Sequence, residues 1–110
     1  MEFYQVVKQK AYKVADILGW KINKNYTRGV QLLNYPYAIN FNKSRKMIRI
    51  KMAYHPRLHP INADYPWTRI DLPLELTPEQ IAEEIRRRLL PKVKMYTDDM
   101  LETQDLIPAW

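Results

Sequence analysis

YAINFNKSRKMIRIKMAY, residues 37–54, sets two alternating patterns back to back. Tyr37, Ile39 and Phe41 alternate with Ala38, Asn40 and Asn42, and Ile48, Ile50, Met52 and Tyr54 alternate with Arg49, Lys51 and Ala53. A period of two sends successive side chains to opposite faces of a strand, so each half is expected to be a strand with one buried and one wet face. The linker Lys43-Ser-Arg-Lys46 lacks the usual Asn-Gly or Asp-Gly turn signal, yet it is short enough to join the halves as a hairpin with a basic tip.

Upstream of the hairpin, Phe3, Val7, Ala11, Val14 and Leu18 recur at helical spacing while Lys8, Lys13 and Asp16 fall elsewhere, and Gly19 follows where a left-handed cap belongs. Trp20 to Asn34 reads as a loop plus one short strand around Val30 to Leu33. Downstream, His55 to Pro66 carries Pro56, Pro60 and Pro66 without periodicity and reads as a long loop. Trp67 to Leu72 alternates again, with Thr68, Ile70 and Leu72 on one side and Trp67, Arg69 and Asp71 on the other. Thr77-Pro-Glu-Gln80 then combines an N-cap threonine, a proline at the first helical position and a glutamine at the third, the capping-box arrangement. The helix it opens carries Ile81, Ile85 and Leu89 on one stripe, with Ala82 and Val93 adjoining, and Pro91 is expected to kink or end it.

The expected fold class is therefore α+β: an N-terminal helix, an antiparallel sheet of three to four strands, and a C-terminal helix kinked or ended at a proline, with both helices on one sheet face. At 110 residues and 46% hydrophobic content the chain suits one domain. Residues 1–97 are read as a single basic α+β domain and residues 98–110 as an acidic C-terminal tail packed upon it. The absence of cysteine excludes disulfides and thiolate metal sites and favours a reducing, cytoplasmic setting. No apolar run approaches the length of a membrane span and the N-terminus lacks the pattern of a signal peptide, so neither a membrane partner nor export is expected.

Charge supplies the functional direction. The net charge is +6, and setting aside Asp98, Asp99, Glu102 and Asp105 leaves +10 over residues 1–97. Such a body attracts polyanions, since each phosphate that a Lys or Arg neutralises releases counterions. If Ile39, Ile50 and Ile70 point inward, then Asn40, Asn42, Arg49, Lys51, Arg69 and Trp67 share the open face, and Lys43, Arg45 and Lys46 extend it at the hairpin tip. Cations beside a flat ring are how sheet surfaces hold nucleic acid. The leading expectation is thus a small non-enzymatic binding module for nucleic acid or a nucleoprotein; an ordinary solvated sheet face is the plainer account of the same residues.

Two other classes compete with it. In a protein-interaction adaptor, the same face and the segment Leu106, Ile107 and Trp110 would contact an acidic protein. In a small metal-independent ribonuclease, His55 and His59 would serve as acid and base with Arg57 steadying the phosphate. Pro56 and Pro60 break the helical spacing that would align the two histidines with Asp64, so neither a metal nor another cofactor is expected. Arg86-Arg-Arg88 suggests a phosphate clamp, but Glu83 and Glu84 stand four residues before Arg87 and Arg88 and assign them to an ordinary helix face.

The order helix, three strands, helix is also similar to that of double-stranded-RNA-binding domains. Glu79, Glu83 and Glu84 stand where that family presents basic residues, so the likeness is one of topology and transfers no site. Over its last few residues, the acidic stretch ending in Leu106, Ile107 and Trp110 resembles the partner-docking tail of bacterial single-stranded-DNA-binding proteins.

Overall fold

The computed structural model describes residues 2–60, 68–102 and 106–108, with the backbone alone at residues 59, 60 and 106–108. Helix α1 spans Phe3–Leu18 and ends on Gly19, whose φ of 75° is the left-handed cap conformation open to glycine at no steric cost. Five strands follow as an antiparallel sheet: β1 Lys21–Ile22, β2 Val30–Asn34, β3 Tyr37–Ser44, β4 Met47–Tyr54 and β6 Arg69–Pro73, in the spatial order β1-β2-β3-β4-β6. Strand β5, Leu58–Pro60, stands apart and pairs with β7, Leu106–Pro108. The sheet has one strand more than the three to four expected, because the two-residue β1 is too short to carry a periodic signal.

The central hairpin pairs from Tyr37↔Tyr54 to Ser44↔Met47, so its turn is only Arg45 and Lys46. Arg45 takes a φ of 57°, supplying the left-handed residue that a tight hairpin needs without Asn-Gly. Gly29, at φ 149°, lets β2 begin flush against β3: a Cβ there would lie 2.5 Å from Asn42 Oδ1 and from the Phe41 carbonyl oxygen.

One sheet face is apolar. Leu32, Ile39, Phe41, Ile48, Ile50, Met52, Ile70 and Leu72 are buried on it, in one cluster with Val7, Ala11 and Val14 of α1 and with Ile81, Ile85, Leu89, Val93 and Met100 of the C-terminal helix. That helix begins as α2, Pro78–Glu84, on the capping box the sequence predicts: Thr77 Oγ1 accepts from the Gln80 N–H at 3.1 Å, and Gln80 Oε1 accepts from the Thr77 N–H at 2.9 Å. Lys10 of α1 ties this junction down by donating to the carbonyls of Leu74 and Leu76.

Pro91 does not end the helix. A π-helical turn, Ile85–Leu89, precedes it, with the Leu90 N–H donating to the Ile85 carbonyl five residues back, and α3 continues as Leu90–Glu102. Proline cannot donate and its ring crowds the previous turn; one wide turn gives the helix another way past it. Beyond Pro91, Val93, Thr97 and Met100 are buried, which keeps the following residues helical. Asp98, Asp99 and Glu102, which the sequence groups with the tail, therefore lie in α3. Tyr37 anchors this stretch, its hydroxyl donating to Asp98 Oδ1 at 2.9 Å; burial first, then the Asp98 hydrogen bond and charge, raise the Tyr37 pKa.

Candidate functional site

The opposite face of the sheet carries the polar residues, and the register orders them into rows. Asn42, Arg49 and Asp71 form one row, and Gln31, Asn40, Lys51 and Arg69 the next, with Leu33, Ala38 and Ala53 beyond. Within the first row the charges are matched: Arg49 Nε donates to Asp71 Oδ1 at 3.0 Å. In the second, Lys51 stands directly opposite Arg69, and neither makes an ion pair with a described residue. Like charges directly opposite on a sheet repel, so this pair is kept at a small electrostatic cost.

Beside the cations runs a chain of amides. Asn23 Nδ2 donates to Gln31 Oε1 at 2.7 Å, Gln31 Nε2 donates to Asn40 Oδ1 at 2.9 Å, and Asn40 Nδ2 donates to the Tyr26 hydroxyl at 3.2 Å. A backbone group fixes the direction, because the Asn25 N–H donates to Asn23 Oδ1 at 3.1 Å and a backbone N–H can only donate. Asn23 must then present its nitrogen to Gln31, and each later amide inherits that orientation. Gln31 and Asn40 are only 6% and 8% exposed, so these amides are tightly held.

A concavity of about 590 Å³ opens over this row, lined by Gln31, Asn40, Lys51, Ala53, Tyr54 and Arg69. It lies where β6 begins beside β4, next to the Met52 N–H that donates to the Thr68 carbonyl at 2.9 Å. Alternation alone groups Asn40, Arg49, Lys51 and Arg69, and these four do share a face. It does not reach Asn23, Tyr26 and Gln31. Gln31 occupies an alternate position in β2, a usable signal once the strand's register is known, but Asn23 and Tyr26 lie in a stretch without periodicity.

The hairpin tip divides between the faces. Lys43 is in register with the buried Ile48 and its ammonium lies 5.6 Å from the centre of the Phe3 ring, on the α1 side of the sheet and away from Lys51. The sequence reading assigns it to the open face; the pleat turns it over. Arg45 and Lys46 form the turn itself. Trp67, the candidate stacking ring, lies outside the described residues. Arg87 and Arg88 both engage Glu84, at 2.6 and 3.7 Å, and Arg86 donates to the Ile17 carbonyl at 3.2 Å.

His55 and Arg57 meet at the end of β4. The His55 ring stands edge-on to Tyr35 at 5.0 Å, its Nδ1 accepts from the Arg57 N–H at 3.1 Å, and the Arg57 guanidinium sits 4.7 Å over the same tyrosine. Burial, then the Arg57 charge, lowers the His55 pKa below its usual 6.5. The neutral imidazole thus has its Nδ1 lone pair engaged and its proton on Nε2, an arrangement suited to packing and to donating one hydrogen bond. The side chain of His59 lies outside the described ones.

The C-terminal segment turns back on the chain, with Leu58↔Pro108, His59↔Ile107 and Pro60↔Leu106 paired antiparallel. Trp110 lies outside the described residues, as do the side chains of Leu106 and Ile107. Among the described residues, no group of three or more His, Cys, Asp or Glu is placed to hold a metal ion, and no helix is long and apolar enough to cross a membrane. Comparison with known protein families, with curated proteins and with solved structures finds no match to this chain.

Proposed function

We propose that this protein is a non-enzymatic binding module that holds nucleic acid on the open face of its sheet. The observation that carries the reading is the Lys51–Arg69 pair: two adjacent cations without an acidic partner among the described residues, at the wall of a concavity floored by amides. A polyanion laid across the face would relieve their mutual repulsion and release its own counterions. Arg49 contributes less, since Asp71 already neutralises it.

Fluorescence anisotropy with single-stranded oligonucleotides of varied sequence tests this. Lys51→Ala/Arg69→Ala is expected to weaken binding alike across sequences and to flatten the logarithmic salt dependence by up to about 2, roughly one for each phosphate no longer neutralised. Both side chains are exposed, so folding should survive. No binding by the unaltered protein at about 50 mM salt would reject the reading and favour the adaptor in its place.

A further inference from the structure

Resting on that reading, we infer that the concavity beside Lys51 and Arg69 recognises the terminal phosphate monoester of a nucleic-acid end in preference to the internal phosphodiesters of the chain. The amide chain has a fixed direction. Because the Asn25 N–H orients Asn23, the Gln31 and Asn40 oxygens each accept from a neighbouring amide and keep one lone pair, while each side-chain nitrogen has spent one of its two hydrogens within the chain. The second hydrogens of Gln31 and Asn40, both of which line the concavity, remain.

Lys51 and Arg69 add donors and no acceptors. The site is therefore rich in donors and carries two positive charges, in a face where the next row carries its own neutralising Asp71. A nucleobase edge alternates donors with acceptors and matches such a lining poorly. An internal phosphodiester offers one charge and two free oxygens. A terminal monoester offers three free oxygens and a charge of about −1.5 to −2 at neutral pH, which matches the cation pair. The fit is one of charge and of hydrogen-bonding polarity together, and the near-complete burial of Gln31 and Asn40 holds the donors in place before any ligand arrives.

The test compares one short oligothymidylate carrying a 5′-phosphate, a 3′-phosphate or neither, by anisotropy at a single salt concentration, with thymidine monophosphate and inorganic phosphate as competitors. At least one phosphorylated end is expected to bind about tenfold or more tightly than the unphosphorylated strand, the worth of one charge-assisted hydrogen bond. Lys51→Met should erase that preference while leaving the circular dichroism spectrum unchanged. Gln31→Glu, which replaces a donor by an anion at the floor of the cavity, should do the same.

Equal binding of all three oligonucleotides would overturn end recognition and leave the open-face reading standing. Preference retained in both Lys51→Met and a correctly folded Gln31→Glu would place end recognition elsewhere and overturn the assignment to this cavity. Direct binding of thymidine monophosphate or inorganic phosphate, read by titration calorimetry, with no oligonucleotide bound would overturn it in favour of a small free phosphate compound as ligand. Absence of any binding would remove the open-face reading as well.

Discussion

Thr77 and Gln80 exchange two hydrogen bonds across one turn, and nothing distant is needed to form them. Thr77→Ala removes the acceptor for the Gln80 N–H and is expected to cost about 0.5–2 kcal/mol, read as a shift in the urea midpoint with nucleic-acid binding unaltered. His55 acts through its environment. Its folded pKa lies below 6.5, so the unfolded chain takes up the proton first as pH falls. The stability it contributes is complete above the unfolded value and is lost as pH drops through the folded one. His55→Gln should therefore flatten the fall in melting temperature between about pH 7 and pH 5 relative to the unaltered chain. At this scale, legibility follows locality. Thr77 and Gly19 can be read from their neighbours in sequence, whereas Asn23, Gln31 and Tyr26 join Asn40 in a site only once β2 pairs with β3.

Elements are legible where the period persists over several residues. The hairpin 37–54 and the stripes of α1 and α2 meet that condition, and the rows of alternation give the open face its cations before any register is known. Two kinds of element escape. β1 and β5 are too short to show alternation, and the helix past Pro91 is hidden because a π-helical turn absorbs the proline that the sequence reads as a kink or an end. Packing beyond that turn is close: Thr97 is buried in α3, and its hydroxyl has no hydrogen-bond partner among the described residues. Thr97→Val keeps the shape and removes the unmet polar group. It is expected to raise stability by about 1 kcal/mol, and chemical denaturation showing a loss instead would mean that the hydroxyl has a partner after all.

Across the whole molecule the chain makes one more pairing after the main sheet is complete, when β7 lies antiparallel beside β5. The sequence favours a docked ending, since apolar residues left in water waste burial, but where it docks depends on an edge at Leu58–Pro60 that has no signal of its own. Since the helix runs to Glu102, the informative truncation removes residues 103–110 and not 98–110. It should lower the melting temperature through loss of the β5–β7 ladder. If the segment also screens the open face, polyanion affinity should rise at low salt, and no change in either quantity would mean that the pairing contributes nothing in solution.

The same clasp bears on the order of events as the protein folds. Joining residues 58–60 to 106–108 closes a long loop for a three-residue ladder, so the entropy of closure falls due before much enthalpy returns, while the hairpin forms from contacts near in sequence and the docking of α1 on α2, though distant in sequence, is repaid by a large buried apolar cluster. The clasp should consequently form on the native side of the folding barrier. In stopped-flow measurements the truncated chain would then refold at nearly the rate of the full one and unfold faster, making this closure a latch on how long the native state lasts and no part of how quickly it is found.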